Sequence, residues 1–127
     1  MLKIILVGVG GFAGSVLRYL VSGYVQQLTK NVVFPYGTLV VNLAGCLFIG
    51  FLSQLAESRS LFTAESRLLI FTGFLGGFTT FSTFGNETMN LLRDGENVPA
   101  LFNVGMHVVF GLASVWLGRI LAHAIWR

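Results

Sequence analysis

The sequence predicts an all-α membrane protein in which residues 1–127 form one domain with four transmembrane helices. Hydrophobic residues make up 54% of the chain and charged residues 10%, whereas a soluble domain carries about 25% charged residues. The mean hydropathy is +0.79. A helix needs about 20 apolar residues to cross the hydrocarbon core, and four segments reach that length: Leu2 to Val25, Gly37 to Ala56, Leu68 to Leu92 and Ala100 to Ala124.

The first span contains GVGGFA at residues 8–13, which matches the glycine pattern of a dinucleotide-binding turn. Such a site also needs an acidic residue about 20 positions further on to hold the ribose, and the first acidic residue in this chain is Glu57. We therefore interpret these glycines as packing residues. Gly10 with Gly14, and Gly11 with Ser15, form pairs of small residues that let two helix backbones approach closely.

The same segment has features of a cleavable signal peptide, with Lys3 near its start, an apolar stretch and the small residues AGS at 13–15. However, the apolar pattern continues past Arg18 through YLVSGYV without interruption. We therefore expect this segment to be the first membrane helix.

The second and fourth spans each carry small and polar residues at helical spacing, which places each set on one side of its helix. Asn42 is the most informative, because its amide offers two donors and an acceptor in the middle of a span. The single cysteine, Cys46, is interpreted as a packing residue. The two sets are Thr38, Asn42, Gly45 and Cys46, and Asn103, His107, Gly111, Ser114 and Gly118.

The third span contains GFLGGFTTFSTFGNE at residues 73–87, where hydroxyl groups alternate with phenylalanines. Gly76 and Gly77, followed by two threonines, are poor helix formers and predict that this helix is broken near its middle. Non-helical backbone at membrane depth must be buried in protein or line a cavity, and its freed carbonyl oxygens suit a small hard cation. The polar residues here are Thr79, Ser82, Thr83 and Asn86, with Glu87 one step round.

Polar side chains are costly in hydrocarbon and turn toward protein or a wet cavity. Three polar stripes in so small a protein favour a permeation path, although hydrogen bonding between packed helices is the ordinary alternative for each. Phe78, Phe81 and Phe84 recur every three residues in the third span. A ring edge is positive and favours an anion without a formal charge, although packing or lipid contact is the commoner use of phenylalanine.

The charges exclude one partner and leave the orientation open. The eight basic residues are scattered singly, so nothing indicates a nucleic-acid surface. Four loop or terminal cations fall on one side of the membrane and two on the other, which is a small difference under the positive-inside rule. Insertion in both orientations is compatible with this count. The two groups are Lys3, Arg59, Arg67 and Arg127, and Lys30 and Arg93.

Three motifs together identify a family resemblance. GGFAGSVLRYL at 10–20, GTLVVNLAG at 37–45 and GGFTTFSTFGNE at 76–87 closely resemble the Fluc (CrcB-type) bacterial fluoride channels, and the resemblance covers essentially the whole chain. It implies a multi-pass protein of the bacterial plasma (inner) membrane that exports toxic cytoplasmic fluoride by passive electrogenic flux. It also implies an antiparallel, dual-topology homodimer with two pores, and no enzymatic activity.

The resemblance assigns roles to particular residues. It implies that Asn42, Phe81 and Phe84 line the fluoride pore, with Ser82 and Thr83 as a hydroxyl track and Thr38 near one pore end. Arg18 is expected near the vestibule. The carbonyls of Gly76 and Thr79 correspond to those that hold a central structural Na⁺ at the dimer interface.

The fourth span departs from the family pattern. Relatives often have a serine four residues beyond the position of His107, and this chain has Gly111 there, so we expect Ser114 to be a substitute in the pore lining. His107 itself is either a pore-side donor or a packing residue, and packing is favoured.

Two other functions fit four small spans. A proton-coupled exporter of the small multidrug type needs an ionisable group in the membrane, for which Glu87 or His107 are the candidates. A structural membrane subunit without transport needs none of the polar residues for flux. No catalytic constellation of serine, histidine and acid, metal-ligand cluster or phosphate-binding lysine is recognisable in the sequence.

Overall fold

The computed structural model describes residues 1–126, and Arg127, which was counted among the cations of one side, lies outside the described residues. Within this part the chain is all-α, and four helices are long and apolar enough to cross a membrane, as the composition predicted. They are Leu2–Thr29, Tyr36–Arg59, Ala64–Arg93 and Asn97–Ile125, called the first to fourth spans below.

Local sequence signals account for the ends of the spans. The first and second spans stop where Lys30 and Ser60 adopt left-handed backbone angles, with φ of 52° and 50°. Thr63 caps the third span, since its hydroxyl oxygen accepts a hydrogen bond from the Ser66 N–H. Pro35 is the N-cap residue of the second span, where its missing N–H removes no helical hydrogen bond.

The third span changes conformation along its length. Its N-terminal half consists of Ala64–Arg67, the π-helical Leu68–Leu75 and Gly76–Phe78, and its C-terminal half is Phe81–Arg93. Between the halves, Thr79 (φ −87°, ψ 158°) and Thr80 (φ −151°, ψ 112°) are extended. Gly76 and Gly77, which we expected to interrupt the helix, are themselves helical, so the extended residues are the two threonines that follow them.

The spans pack most extensively as two pairs, the first with the third and the second with the fourth. A Cβ atom at Gly10 would collide with the Leu69 carbonyl oxygen, and one at Gly14 with the Phe74 carbonyl oxygen. Only glycine permits backbones to approach this closely, which confirms the interpretation of Gly10 and Gly14 as packing residues; a Cβ atom at Gly11 would make only an ordinary contact, 3.9 Å from the Gly73 carbonyl oxygen. We call this contact between the first and third spans the glycine seam. The second and fourth spans pack in the same way. A Cβ atom at Gly50 would collide with the Val115 carbonyl oxygen, and one at Gly118 with the Leu47 carbonyl oxygen.

Most of the helical surface is apolar and uncovered in the single chain. Large side chains such as Phe12, Leu112 and Trp116 are exposed on the outside of the bundle. A water-soluble monomer rarely exposes apolar patches of this extent. The surface therefore fits a chain surrounded by lipid.

Candidate functional site

Asn42 on the second span holds the extended segment of the third span through a paired hydrogen bond. Its Oδ1 accepts from the Thr80 N–H at 2.8 Å, and its Nδ2 donates to the Thr80 carbonyl oxygen at 3.0 Å. Backbone that leaves helical geometry inside a membrane must find other partners for its N–H and C=O groups. A carboxamide supplies both a donor and an acceptor at once, so this one side chain satisfies both groups of Thr80.

The extended segment also changes the hydrogen bonding of nearby backbone carbonyls. In a continuous helix the Thr80 N–H would donate to Gly76 O and the Thr83 N–H to Thr79 O. The Thr80 N–H donates to Asn42 instead, and the Thr83 N–H donates to the Thr80 hydroxyl oxygen at 3.2 Å. The carbonyls of Gly76 and Thr79 therefore lose their regular helical donors, and Gly76 lies on the exposed surface of the single chain.

His107 on the fourth span completes the arrangement around Asn42. The His107 Nε2 lies 3.1 Å from Asn42 Nδ2, and its Nδ1 lies 3.0 Å from the Asn103 carbonyl oxygen. Its ring also packs on Phe84, with ring centroids 4.2 Å apart. The packing role favoured for His107 is thus incomplete, because both of its ring nitrogens also make polar contacts. We call Asn42, Thr80, Thr83 and His107 the polar centre.

Phe81 and Phe84 are close together but lie in different surroundings. Their ring centroids are 5.4 Å apart. Phe84 is 9% exposed, whereas Phe81 is 81% exposed in the single chain. Phe84 therefore belongs to the interior of the helical bundle, and Phe81 projects from it.

A cavity of about 430 Å³ lies beside the polar centre. Asn42 and His107 are polar members of its wall, which is otherwise largely apolar, and Gly111 on the fourth span also lines it. The predicted residues that line it are Asn42, Gly76, Thr79, Phe81 and Phe84. Ser114, expected as a substitute in the lining, is half-buried on the fourth span and does not line this cavity.

A second cavity of about 270 Å³ lies on the other side of Thr80. Most of the residues in its wall carry a polar atom, and three of them are predicted residues: Arg18, Thr38 and Thr83. The hydroxyl of Ser82 lies 3.3 Å from that of Thr80, and the Thr80 hydroxyl donates to Thr83 Oγ1 at 2.9 Å. Thr80 lines both cavities, so hydroxyl groups occupy the boundary between them.

Thr38 connects this second cavity to one end of the bundle. Its hydroxyl donates to Glu87 Oε1 at 2.7 Å. Glu87 also lines a third cavity, of about 370 Å³, near the loop between the first and second spans. The Glu87 Oε2 is buried and has no hydrogen-bond partner within residues 1–126.

Sequence reasoning missed Thr80 and Thr88 as positioned polar groups. The sequence prediction gave roles to Thr79, Ser82 and Thr83 and none to Thr80, although two adjacent threonines soon after a glycine pair already indicated extended backbone. Thr88 donates to the Phe84 carbonyl oxygen at 2.8 Å and accepts from Asn103 Nδ2 at 3.0 Å. Because Asn103 is fully buried, this chain of hydrogen bonds fixes the fourth span against the third at the level of Phe84.

The described residues contain no group of three or more histidine, cysteine, aspartate or glutamate side chains that could hold a metal ion. The donors gathered around Thr80 are instead hydroxyl, amide and backbone groups. Such a site can solvate a small ion through neutral groups.

Comparisons with known proteins cover nearly the whole chain. The model of the family described as CrcB-like protein, Camphor Resistance (CrcB), matches residues 5–119. A protein of Chlorobaculum tepidum named fluoride-specific ion channel FluC is 49% identical over 127 residues, covering 100% of this chain and 98% of the relative. The similarly named FluC 1 of Methanosarcina acetivorans is 45% identical over 122 residues, covering 96% and 92%.

A third relative, fluoride-specific ion channel FluC of Maridesulfovibrio salexigens, is 43% identical over 125 residues and is covered to 98% of its length. The family match and these identities extend through all four spans and the polar centre. The chain therefore belongs to the CrcB-like protein family.

Proposed function

We propose that the protein is a fluoride-specific ion channel and not an enzyme. The observation that carries this proposal is the row of neutral polar groups around Thr80, which separates two cavities inside a four-span membrane protein. The names of relatives that are 43–49% identical over nearly the full length supply the identity of the ion.

The chemistry of the site suits a small, strongly hydrated anion. A pore must replace the hydration shell with several donors that each bind weakly enough to release the ion. Ser82 and Thr83 offer hydroxyl groups, and the edges of Phe81 and Phe84 offer partial positive charge. Arg18 lines the smaller, more polar cavity, where a cation raises the local concentration of anions without closing around them.

Asn42 contributes to this pathway by its position as well as by its amide. Both of its donors are engaged, one by the Thr80 carbonyl and the other by His107. In the subunit as described, its main effect is to present the Thr80 and Thr83 hydroxyls at the boundary between the cavities. An ion that took the place of His107 would gain one amide donor.

The working unit is proposed to be an antiparallel homodimer with two pores. Phe81 is 81% exposed in one chain although it adjoins the candidate pathway, so a second subunit is needed to enclose it. The weak difference in positive charge between the two sides is compatible with insertion in both orientations. This arrangement places the pathway at the junction of two copies in the plasma membrane.

A structural Na⁺ is proposed at the centre of that dimer. Carbonyl oxygens are the hard ligands that such a cation prefers. The carbonyls of Gly76 and Thr79 have given up their helical donors, and Gly76 lies on the surface that a partner would cover. Two copies would supply four such oxygens around one ion.

Flux from liposomes tests the proposal. Vesicles loaded with potassium fluoride should release fluoride, followed with a fluoride-selective electrode, only after a potassium ionophore allows charge to balance. Vesicles loaded with potassium chloride should retain chloride under the same conditions. Equal release of both halides, or release of neither, would contradict a fluoride-specific channel.

A proton-coupled exporter remains the alternative that one observation favours. Glu87 is a membrane carboxylate with one oxygen that has no hydrogen-bond partner within residues 1–126, and it lines a cavity at the end of the bundle. An exporter of that kind should stall without a pH gradient, whereas channel flux should persist. Measuring fluoride efflux at equal pH on both sides separates the two.

A further inference from the structure

The hydrogen bonds of His107 are compatible with one protonation state. The Asn103 carbonyl oxygen can only accept, so the His107 Nδ1 must carry a hydrogen and donate to it across 3.0 Å. The partner of Nε2 is Asn42 Nδ2, an amide nitrogen that can only donate, at 3.1 Å. The Nε2 must therefore be unprotonated, and the ring is the neutral Nδ1–H tautomer.

The orientation of the Asn42 amide is fixed independently by the backbone. Its oxygen faces the Thr80 N–H and its nitrogen faces the Thr80 carbonyl. Turning the amide over would set two donors against each other at one end and two acceptors at the other. Asn42 therefore cannot adapt to a change at His107 without losing its hold on Thr80.

We propose that His107 is a positioning residue which, through Asn42, holds Thr80 extended, and that it does so only as the neutral Nδ1–H tautomer. This inference rests on the proposed channel function and adds its regulation. Protonation would place an Nε2–H against the Asn42 Nδ2–H. Either the ring or the amide must then move away. Thr80, whose hydroxyl oxygen caps the following helix by accepting from the Thr83 N–H, then loses its support.

Few other titratable groups face this position within the described residues. From the second span, Cys46 lines the same cavity as His107. From the third span, Glu87 lies one turn beyond Phe84, but its carboxylate is bonded to Thr38 and lines a different cavity. On the fourth span itself, Arg119 is paired with Glu57 near the far end. None of these groups makes a hydrogen bond to His107 within residues 1–126.

The first test is the pH dependence of fluoride efflux at equal pH on both sides. The initial rate should fall at least about tenfold between about pH 8 and about pH 5, since acid removes one hydrogen bond and sets two donors together. Leakage of hydrogen fluoride is subtracted with protein-free vesicles. In the His107→Gln variant the side-chain oxygen can accept from Asn42 and its nitrogen can donate to Asn103, with nothing to titrate. Its rate should stay within about threefold of its own value across that range.

The second test observes the tautomer directly and does not depend on transport. Nitrogen NMR of ¹⁵N-histidine-labelled protein, in a His123→Gln background that leaves His107 as the single histidine, should show the Nδ1–H form at about pH 8. An Nε2–H form would overturn the proposal. So would a wild-type rate that is flat with pH, or a folded His107→Gln channel that is inactive or loses activity in acid as the wild type does. If the wild type carries no fluoride at any pH, the proposed function fails, while the NMR result still decides the tautomer.

Discussion

The glycine seam joins backbone to backbone, with no side-chain hydrogen bond across it among the described residues, whereas the polar centre consists of amide, hydroxyl and imidazole groups. At the seam, Gly10 and Gly14 are needed because any larger residue would occupy the space of the third-span backbone. At the polar centre, Asn42 and His107 are needed because each supplies a donor or acceptor in a fixed direction. One region depends on shape and the other on hydrogen-bond direction.

This difference separates stability from transport. A substitution at the seam changes how closely two helices approach, and therefore the free energy of folding. A substitution in the polar centre leaves the helix pairs intact and changes which groups line the pathway. Mutations at the glycine seam should therefore change the melting midpoint, whereas mutations in the polar centre should change the rate of fluoride efflux.

The largest effect is expected from Asn42→Asp. The carboxylate keeps the acceptor for the Thr80 N–H but loses both donors, so the Thr80 carbonyl and His107 Nε2 are left facing negative oxygen. Two lost hydrogen bonds in a membrane interior correspond to about a hundredfold or greater loss of fluoride efflux. Efflux from vesicles at matched protein density measures this.

Asn31→Asp is the matched control for the same chemical change. Asn31 lies in the first loop, where its Oδ1 accepts from the Val33 and Phe34 N–H groups. An aspartate keeps these acceptor contacts, so fluoride efflux should stay within about twofold of wild type. If both variants lose efflux equally, Asn42 has no special place in the pathway.

Phe81→Ile should reduce fluoride efflux strongly, by at least about tenfold, while the dimer still assembles. The substitution keeps apolar volume but removes the aromatic edge that we propose faces the anion. Size-exclusion chromatography in detergent checks assembly, and vesicle efflux checks transport. Phe12→Ile, at an exposed position of the first span that lines neither cavity of the pathway, should leave both unchanged. Normal efflux by Phe81→Ile would show that the ring acts only in packing.

Gly14→Ala should lower stability by about 1–3 kcal/mol, because the new methyl group collides with backbone atoms that cannot move aside alone. Gly8→Ala is the control, since a Cβ at Gly8 meets no atom of another described span within 4 Å. Heating followed by size-exclusion chromatography compares the two. Equal midpoints would mean that the glycine seam tolerates added volume. The variants that remain folded should still select fluoride over chloride.

The smallest effect is expected from Arg119→Gln. Arg119 makes two hydrogen bonds to Glu57, each 3.0 Å, and these join the second and fourth spans at an exposed end. Exposed ion pairs contribute little because solvent screens them. The melting midpoint should shift no further than repeat measurements scatter, and a large loss would show that this end of the bundle is not solvated.

The sequence alone determined the class, the number of spans and the glycine contacts. Lipid thickness sets the length of an apolar helix, so composition and spacing were sufficient for the four spans. The contact made by Gly10 and Gly14 was also predictable, because small residues four positions apart in a membrane helix ordinarily allow a second helix to pack closely. The stripes containing Asn42 and His107 likewise indicated which residues turn inward.

Only the tertiary structure decided what these inward residues bind. Asn42 lies 38 positions before Thr80 and 65 before His107, and no local pattern encodes which of many donors and acceptors will meet. That depends on how the second, third and fourth spans are rotated and staggered against one another. A small change in distance or angle is enough to break a hydrogen bond. The same change leaves an apolar stripe apolar. The periodicity of the sequence therefore predicts the stripes, whereas the hydrogen-bond partners depend on how the spans pack.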